Sequence, residues 1–384
     1  MNLANGRKRY PSNLRKKENA MKQRTRGLLP ILIFICVSAL GQNNAWETSI
    51  QVGKDAMERR QYSEAEKSFR EAFTIVEKFG EKDARYSGSL MFLAQACDGQ
   101  SKKDEAEALT RRAVLVMEEA LKAYQPKTTE GHLHASDIAA LLFDQAGGIF
   151  AGHQNYPEAE TLYKRAIKIR VAAAEENDSL KHGADENHSL QNNENHPLPL
   201  QNNEEFFEFG VRAMFGSENE GKLMDTQEKL ARLYFTEHKF QEAAATYEKV
   251  RSMRERFVEP APDESEETWK QYLAKHKLPE EIAAVERTKQ LRAQLKQTGQ
   301  HDLALTLSNL ASCYAAQANY DKARPLYQRA LALFEQANGM EKPEAISTMQ
   351  LYALLLKKTG READANAMLE KASAIKKRLA QPIQ

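Results

Sequence analysis

The sequence repeats itself, and neighbouring copies at the two ends of the array lie 41 and 42 residues apart. Six alanines define the register, namely Ala65, Ala106, Ala159, Ala243, Ala323 and Ala365. The positions seven residues later hold Ala72, Ala113, Ala166, Val250, Ala330 and Ala372, and those twelve residues earlier hold Gly53, Ala94, Gly147, Ala231, Ala311 and Ala353. Eleven of these twelve further positions are alanine or glycine. Such self-similarity indicates one supersecondary unit copied along the chain.

The small residues predict a pair of closely packed helices in each copy. Small side chains let two helices approach, and larger neighbours such as Leu93, Leu230 and Leu310 fill the remaining space. An aromatic residue three positions before the anchor marks the turn in four copies, at Tyr62, Tyr156, Phe240 and Tyr320. Because each pair leaves one apolar face uncovered, the copies must stack. The expected fold is therefore an all-α stack of antiparallel helix pairs.

The segment Thr306–Gly339 resembles the tetratricopeptide repeat family, in the longer-period form found in kinesin light chain. It carries an Asn-Leu-Ala run at Asn309, a Pro-Leu-Tyr run at Pro325 and an Arg-Ala-Leu run at Arg329. Ala318 stands where that family usually has glycine before the inter-helix aromatic. The resemblance implies a right-handed α-solenoid. It also implies a role in binding a protein or peptide partner.

Two gaps, each about two periods between anchors, divide the predicted array. We expect repeats in 46–174, one repeat with degenerate helix pairs in 206–301, and further repeats in 302–380. The polar stretch 175–205 buries too little apolar surface to fold, so it is predicted to be a disordered insert. The apolar residues that follow, within 206–222, are interpreted as an eroded helix or as a segment that docks on a partner. Residues 258–301 are interpreted as a degenerate helix pair.

Residues 1–41 have the layout of a secretory signal. They carry nine basic residues against one acidic residue, and the uncharged apolar core Leu28–Leu40 follows. This core is shorter than the ~20 residues that span a bilayer, so cleavage and a secreted or periplasmic protein are expected. An uncleaved signal anchor at 28–40 is the alternative. With this +8 segment removed from a chain of net charge +1, the remainder is near −7, and nucleic acid is not an expected partner.

The sequence holds no nucleophile motif, phosphate-binding loop or dinucleotide fingerprint, so neither an enzyme nor a cofactor is predicted. His132 and His134 with Asp137 only superficially resemble a metal site, and they are interpreted as solvated residues. Cys97 and Cys313 fall in different predicted helices, several repeats apart. They are interpreted as small core residues rather than a disulfide.

The resemblance also implies a groove lined by the first helix of each pair. At the equivalent positions this chain has Lys54, Gln95 and Arg232 in one column, and Lys229 and Asn309 in another. These five residues are the candidate partner-binding residues, and their alternative role is that of ordinary solvated side chains. The predicted function is a non-enzymatic, exported scaffold that binds a protein or peptide. The alternative is a membrane-anchored structural component of the cell envelope.

Overall fold

The computed structural model describes residues 45–83, 85–123, 129–189, 218–258 and 279–380. Within these ranges the chain is all-α, without a strand, and forms twelve helices. The helices span 45–58 (α1), Tyr62–Glu77 (α2), Tyr86–Gly99 (α3), Lys103–Ala123 (α4), Thr129–Gly152 (α5), Tyr156–Ser189 (α6), Glu218–Thr236 (α7), Phe240–Val258 (α8), Pro279–Ala316 (α9), Tyr320–Gln336 (α10), Pro343–Lys358 (α11) and Glu362–Leu379 (α12). The predicted fold class is confirmed. The predicted signal or anchor lies outside the described residues.

The chain divides into two compact units, Met1–Tyr124 and Gln125–Gln384. In unit 1, α3 packs against both α2 and α4. In unit 2, successive helices pack pairwise from α5 to α12, and each pair also packs against the next. The final two pairs share a core, which is formed by Ala311, Ala323, Tyr327, Tyr352, Ala353, Leu355, Leu356 and Ala365. Each unit therefore buries its apolar faces by stacking helix pairs, as expected for repeats of this kind.

The columns of small residues lie where the two helices of a pair meet. All six anchor alanines are fully buried. A Cβ atom added to Gly53 would lie 2.3 Å from the Phe69 ring, and one added to Gly147 would lie 2.9 Å from the Tyr163 ring. No Cβ fits at the first distance without displacing its neighbour. The predicted reason for the small residues, close approach of the two helices, is confirmed.

The second helix of four pairs begins at the aromatic residue that marked the predicted turn, at Tyr62, Tyr156, Phe240 and Tyr320. The residue two positions before each aromatic adopts a left-handed backbone, as Ala318 does with φ of 57°. The N–H of the residue that follows donates back to the first helix, as Asn319 N–H does to Tyr314 O at 2.8 Å. This is the hydrogen bond of a Schellman motif, which ends one helix before the next begins.

Two helices run further than the sequence pattern indicated. Helix α6 continues to Ser189, so residues 175–189 of the predicted disordered insert are helical. Its Ala172-Ala-Ala-Glu-Glu run favours helix, and no proline or left-handed turn ends it there. The rest of that insert, 190–205, and residues 206–217 of the predicted eroded helix lie outside the described residues.

The second correction concerns the predicted degenerate pair at 258–301. Residues 279–301 do not form a helix of their own but continue without a break into the first helix of the next repeat, as the 38-residue α9. Gly299 lies inside this helix, where Thr298 Oγ1 bonds back to Gln294 O at 3.0 Å and Gln297 Nε2 donates to Ala337 O at 2.7 Å. A single glycine lowers helix propensity by ~1 kcal/mol but does not end a helix that packing holds.

Candidate partner-binding surface

The first helices of the pairs in unit 2 are α5, α7, the 302–316 part of α9, and α11. Neighbouring first helices are joined by polar contacts that are buried or partly buried. Lys229 Nζ on α7 lies 2.5 Å from Asp144 Oδ2 on α5. Thr306 Oγ1 on α9 donates to Glu228 Oε1 on α7 at 2.7 Å. These contacts, with the one described next, form a polar ladder that fixes the register between successive pairs, because each buried group needs its partner.

The third contact of the ladder joins Thr348 Oγ1 on α11 to Ser308 Oγ on α9 at 2.8 Å. Thr348 and Thr306 occupy the same repeat position, seventeen residues before the anchor. Five of the six copies have a hydroxyl there, at Thr48, Ser89, Thr226, Thr306 and Thr348. The last four of these are buried. Sequence reasoning missed this column, although aligning the six copies for threonine and serine would have found it.

Glu228 and Asp144 are the two buried acids of the ladder. Arg254 Nη2 lies 3.3 Å from Glu228 Oε2, and both side chains are at most a tenth exposed. Burial raises the pKa of Glu228, and the Arg254 charge and the Thr306 hydrogen bond oppose that rise. Arg254 also donates to Asp302 O on α9 at 2.5 Å. This one side chain of α8 therefore contacts both α7 and α9.

The exposed sides of these first helices form what we call the first-helix face of unit 2. It carries large apolar side chains at both ends. On α5, Ile138 and Leu141 are each 47% exposed, and on α11, Leu351 and Leu354 are 39% and 58% exposed. Between these ends, α7 presents the exposed side chain of Arg232 together with Phe235, which is 37% exposed. Exposed apolar side chains with a polar surround are typical of protein-binding surfaces.

The predicted site residues in unit 2 divide into one free base, one paired base and one half-buried amide. Lys229 is held by the buried Asp144, so its charge is already neutralised. Arg232, one helical turn further along α7, has an exposed side chain. Asn309 is half-buried on α9. The predicted basic pair therefore offers a partner one cation, Arg232, rather than two.

The other two predicted residues belong to unit 1. Lys54 Nζ on α1 lies 4.9 Å from the centre of the Phe92 ring, a cation–π contact that links α1 to α3. Gln95 is half-buried on α3, one turn beyond Phe92. Lys54 thus already has a role within the unit.

Asp137, part of the histidine-rich stretch, pairs with Lys222 at 3.6 Å and so helps to join α5 to α7. The side chains of His132 and His134 lie outside the described part of the chain. One group elsewhere has the composition of a metal site, since ligand atoms of Glu66, Cys97 and Glu105 lie within 4.8 Å of one another. No metal was predicted there.

That group is better described as an ion-pair network. Lys102 Nζ lies 2.6 Å from Glu66 Oε2, and Arg70 Nη2 lies 2.7 Å from Glu66 Oε1. The Lys102 hydrogen bond, aided by Gln100 and Arg70, lowers the pKa of Glu66 to about 2 despite burial. Burial raises the pKa of the Cys97 thiol to about 11, so it is neither an anion nor a nucleophile at neutral pH.

Cys313 is similar, with a pKa raised by burial to about 12. Both cysteines are free and buried, in agreement with their predicted place in the core. Within the described ranges, none of the helices combines the length and apolar character that crossing a bilayer requires.

Fold and packing define a helical-repeat protein whose repeat unit is an antiparallel helix pair of about 42 residues. Residues 302–378 match the family model described as tetratricopeptide repeat. This part of the chain consists of tetratricopeptide repeats, and the earlier pairs use the same buried columns of small residues. No curated protein matches the sequence significantly.

Solved structures to which this chain is similar include BtubC (BKLC) from P. vanneervenii, at 15% identity and a TM-score of 0.44, covering 89% of this chain and 94% of that one. A Podosopora anserina putative kinesin light chain with TPR-like repeats has 14% identity and a TM-score of 0.43, covering 79% and 99%. Pseudomonas aeruginosa pilF has 15% identity and a TM-score of 0.41, covering 85% and 90%. These values are too low to carry a partner from any of them to this chain.

Proposed function

We propose that the chain is an exported, non-enzymatic scaffold that binds a protein or peptide partner on the first-helix face of unit 2. The observation that carries this proposal is the combination of exposed Leu351 and Leu354 on α11 with exposed Ile138 and Leu141 on α5. Side chains of this size are normally buried in a stack, and repeat proteins use such extended faces for binding.

The polar side chains between the two ends of the face indicate which kind of partner would fit. Arg232 is exposed, whereas its neighbour Lys229 is ion-paired with Asp144. Ser312 is likewise engaged, since its hydroxyl lies 2.9 Å from the Tyr327 hydroxyl. A partner segment that presents apolar side chains to α11 and one acidic side chain to Arg232 would match the face without breaking a contact of the fold.

A pull-down from envelope extract, with the purified protein as bait, tests whether a partner binds the first-helix face. We expect Arg232→Glu and Leu354→Arg each to reduce recovery of the wild-type partner by about tenfold or more, as loss of an anchor does. Leu379→Arg is the matched control, because Leu379 is a 51% exposed leucine on α12, away from the face. Equal recovery with all three variants would reject the face as the binding surface.

Export is proposed on the sequence of residues 1–41 alone. Mass spectrometry of protein recovered from the producing cell measures the mature N-terminus. We expect a chain that begins near Gln42, because Ala39 and Gly41 provide the small residues that signal peptidase requires. A full-length, membrane-bound chain would instead favour the signal-anchor alternative, in which the scaffold is a fixed component of the envelope.

A further inference from the structure

Within each unit, the second helices of neighbouring pairs flank a set of seams. Each seam lies between two second helices and has the intervening first helix as its floor. The residue nine positions before the anchor projects from that first helix, as Tyr234 does from α7 and Tyr314 from α9. The seams can therefore be compared position by position along the repeat.

Three of the seams are closed by charged networks. In unit 1, Glu66, Arg70, Lys102 and Glu105 join α2 to α4. Between α6 and α8, Glu160 accepts from Lys164 Nζ at 2.6 Å, from Tyr234 Oη at 3.1 Å and from Lys239 Nζ at 3.1 Å. In both places a buried or half-buried acid is shared by several donors, and the seam has no apolar opening among these residues.

The α8–α10 seam follows the same plan. Tyr314 Oη donates to Glu248 at 3.0 Å, and Arg251 pairs with Glu248 at 3.0 Å. Arg329 on α10 pairs with Glu255 on α8. Lys322 Nζ stands 5.3 Å from the centre of the Tyr314 ring. Five charged side chains thus surround the aromatic floor.

The α10–α12 seam breaks this pattern at the same repeat positions. Leu331 replaces Arg251, Leu356 replaces Tyr314, and Asp364 replaces Lys322. A cleft of about 540 Å³ opens here. Its larger apolar lining residues are Leu331, Met340, Met349, Tyr352, Leu356 and Met368. Methionine adapts its shape and is common on surfaces that receive apolar partners.

The rim of this cleft is charged but not closed. Glu335 on α10 and Lys371 on α12 are the equivalents of Glu255 and Arg329, the pair that bridges the preceding seam. Both line the cleft and are exposed, and among the described residues they form no such bridge. One rim therefore offers an unpaired acid and the other an unpaired base.

From this contrast we infer that the α10–α12 cleft is a second docking site, which receives an amphipathic helix of a partner protein with a basic residue on one edge of its apolar stripe and an acidic residue on the other. Helices α10 and α12 both pack against α11, so the cleft is an elongated groove with a helix on either side, the kind of surface that receives an amphipathic helix. Exposed Ala332 and Ala367 at the two edges let a helix backbone come close. The edge charges of the guest meet Glu335 and Lys371.

The test uses a fluorescent synthetic peptide of helical design, with leucines on one stripe, lysines along one edge and glutamates along the other. Binding to the exported protein is measured by fluorescence anisotropy. Leu331→Arg restores the residue of the preceding seam, so it keeps a side chain that the fold already accommodates at that position. We expect it to raise the Kd about tenfold or more. Leu115→Arg is the matched control, because Leu115 is a 61% exposed leucine on α4 of unit 1, and it should leave the Kd unchanged.

Charge rescue tests the rims independently of which way the guest helix runs. Lys371→Glu makes both rims acidic, and it should weaken the mixed-edge peptide but bind a peptide with lysines on both edges more tightly than wild type does. Circular dichroism checks that each variant folds, and Met368→Gln replaces Leu331→Arg if the latter does not.

Three outcomes would overturn this inference. One is that the mixed-edge peptide fails to bind wild type, and another is that Leu331→Arg or its substitute leaves the Kd unchanged. The third is that sedimentation shows wild type to be a dimer which Leu331→Arg dissociates, because a second copy would then be the occupant. None of these results bears on the first-helix face, whose test uses different residues.

Discussion

The residue between the two helices of each pair occupies an unusual backbone conformation. Five residues before the anchor, φ is positive in all six copies, at Arg60, Ser101, Gln154, His238, Ala318 and Gly360. A residue with a Cβ loses roughly 1–2 kcal/mol in this region, and the Schellman hydrogen bond and the packing of the pair offset that loss. Only Gly360 avoids it. Ala318 lacks even the polar side chain that eases the conformation in asparagine.

We therefore expect Ala318→Gly to stabilise unit 2 by up to about 1 kcal/mol, and Gly360→Ala to destabilise it by a similar amount. An added Cβ at Gly360 has no neighbour within 4 Å, so the second variant measures conformation without a clash. Urea unfolding followed by circular dichroism gives both values. A lower midpoint for Ala318→Gly would show that the flexibility of glycine in the unfolded chain dominates.

The relation between successive helix pairs depends on the polar ladder as well as on apolar packing. Thr306→Val keeps the shape of the side chain but removes the hydrogen bond to Glu228. The free energy of unfolding should fall by about 1–3 kcal/mol, because a buried carboxylate then loses a donor. Thr236→Val is the matched control, since Thr236 is exposed and its hydroxyl bonds only to Arg232 O of its own helix. Chemical denaturation of both variants measures the difference, which equal losses would disprove.

The sequence predicted the helix pairs well because their packing depends on local, repeated choices. Small residues, a turn aromatic and an apolar stripe recur at fixed spacing, and each leaves a visible mark. The exact ends of α6 and α9 were not predictable from these marks. A helix continues past a polar stretch or a glycine when nothing ends it, and the pattern of one repeat does not record what its neighbour supplies.

The candidate site was predictable only in part, for a related reason. The repeat register placed Lys229, Arg232 and Asn309 on the first helices of unit 2, where they are found. That Lys229 is neutralised by Asp144, 85 residues away, depends on how two helices approach, and no single repeat encodes it. The α10–α12 cleft likewise depends on which side chains of three helices meet, and no single repeat encodes that arrangement.

At the scale of the whole molecule, the two units give separate responses to acid. The pKa of Glu66 in unit 1 is lowered to about 2 from 4.5, mainly by Lys102. A lowered carboxyl pKa contributes stability above the ordinary value, and this contribution is lost as pH falls from 4.5 toward 2. In unit 2, burial raises the pKa of Glu228, so this group has the opposite sign and its contribution is lost as pH rises through its shifted pKa.

Unit 1 should therefore lose more stability on acidification in wild type than in Glu66→Gln. The chain has two tryptophans, and Trp46 donates to Ser89 Oγ at 3.0 Å within unit 1. In a Trp269→Phe background, the fluorescence of Trp46 reports the urea midpoint of unit 1 alone. The gap between the two proteins should be constant above about pH 5 and should narrow as pH falls from 4.5 toward 2. A gap independent of pH would mean that the Glu66 ion pairs are screened.

The unbroken α9 has a mechanical consequence. A helix of 38 residues is about 57 Å long, and only its last turns belong to the repeat stack. Its first part is covalently continuous with the helix that carries Thr306 and Asn309. A force applied near Pro279 would therefore be transmitted along α9 to the hydrogen bond between Thr306 and Glu228. Displacement of the first part of α9 would thus strain the packing between the α7–α8 pair and the α9–α10 pair.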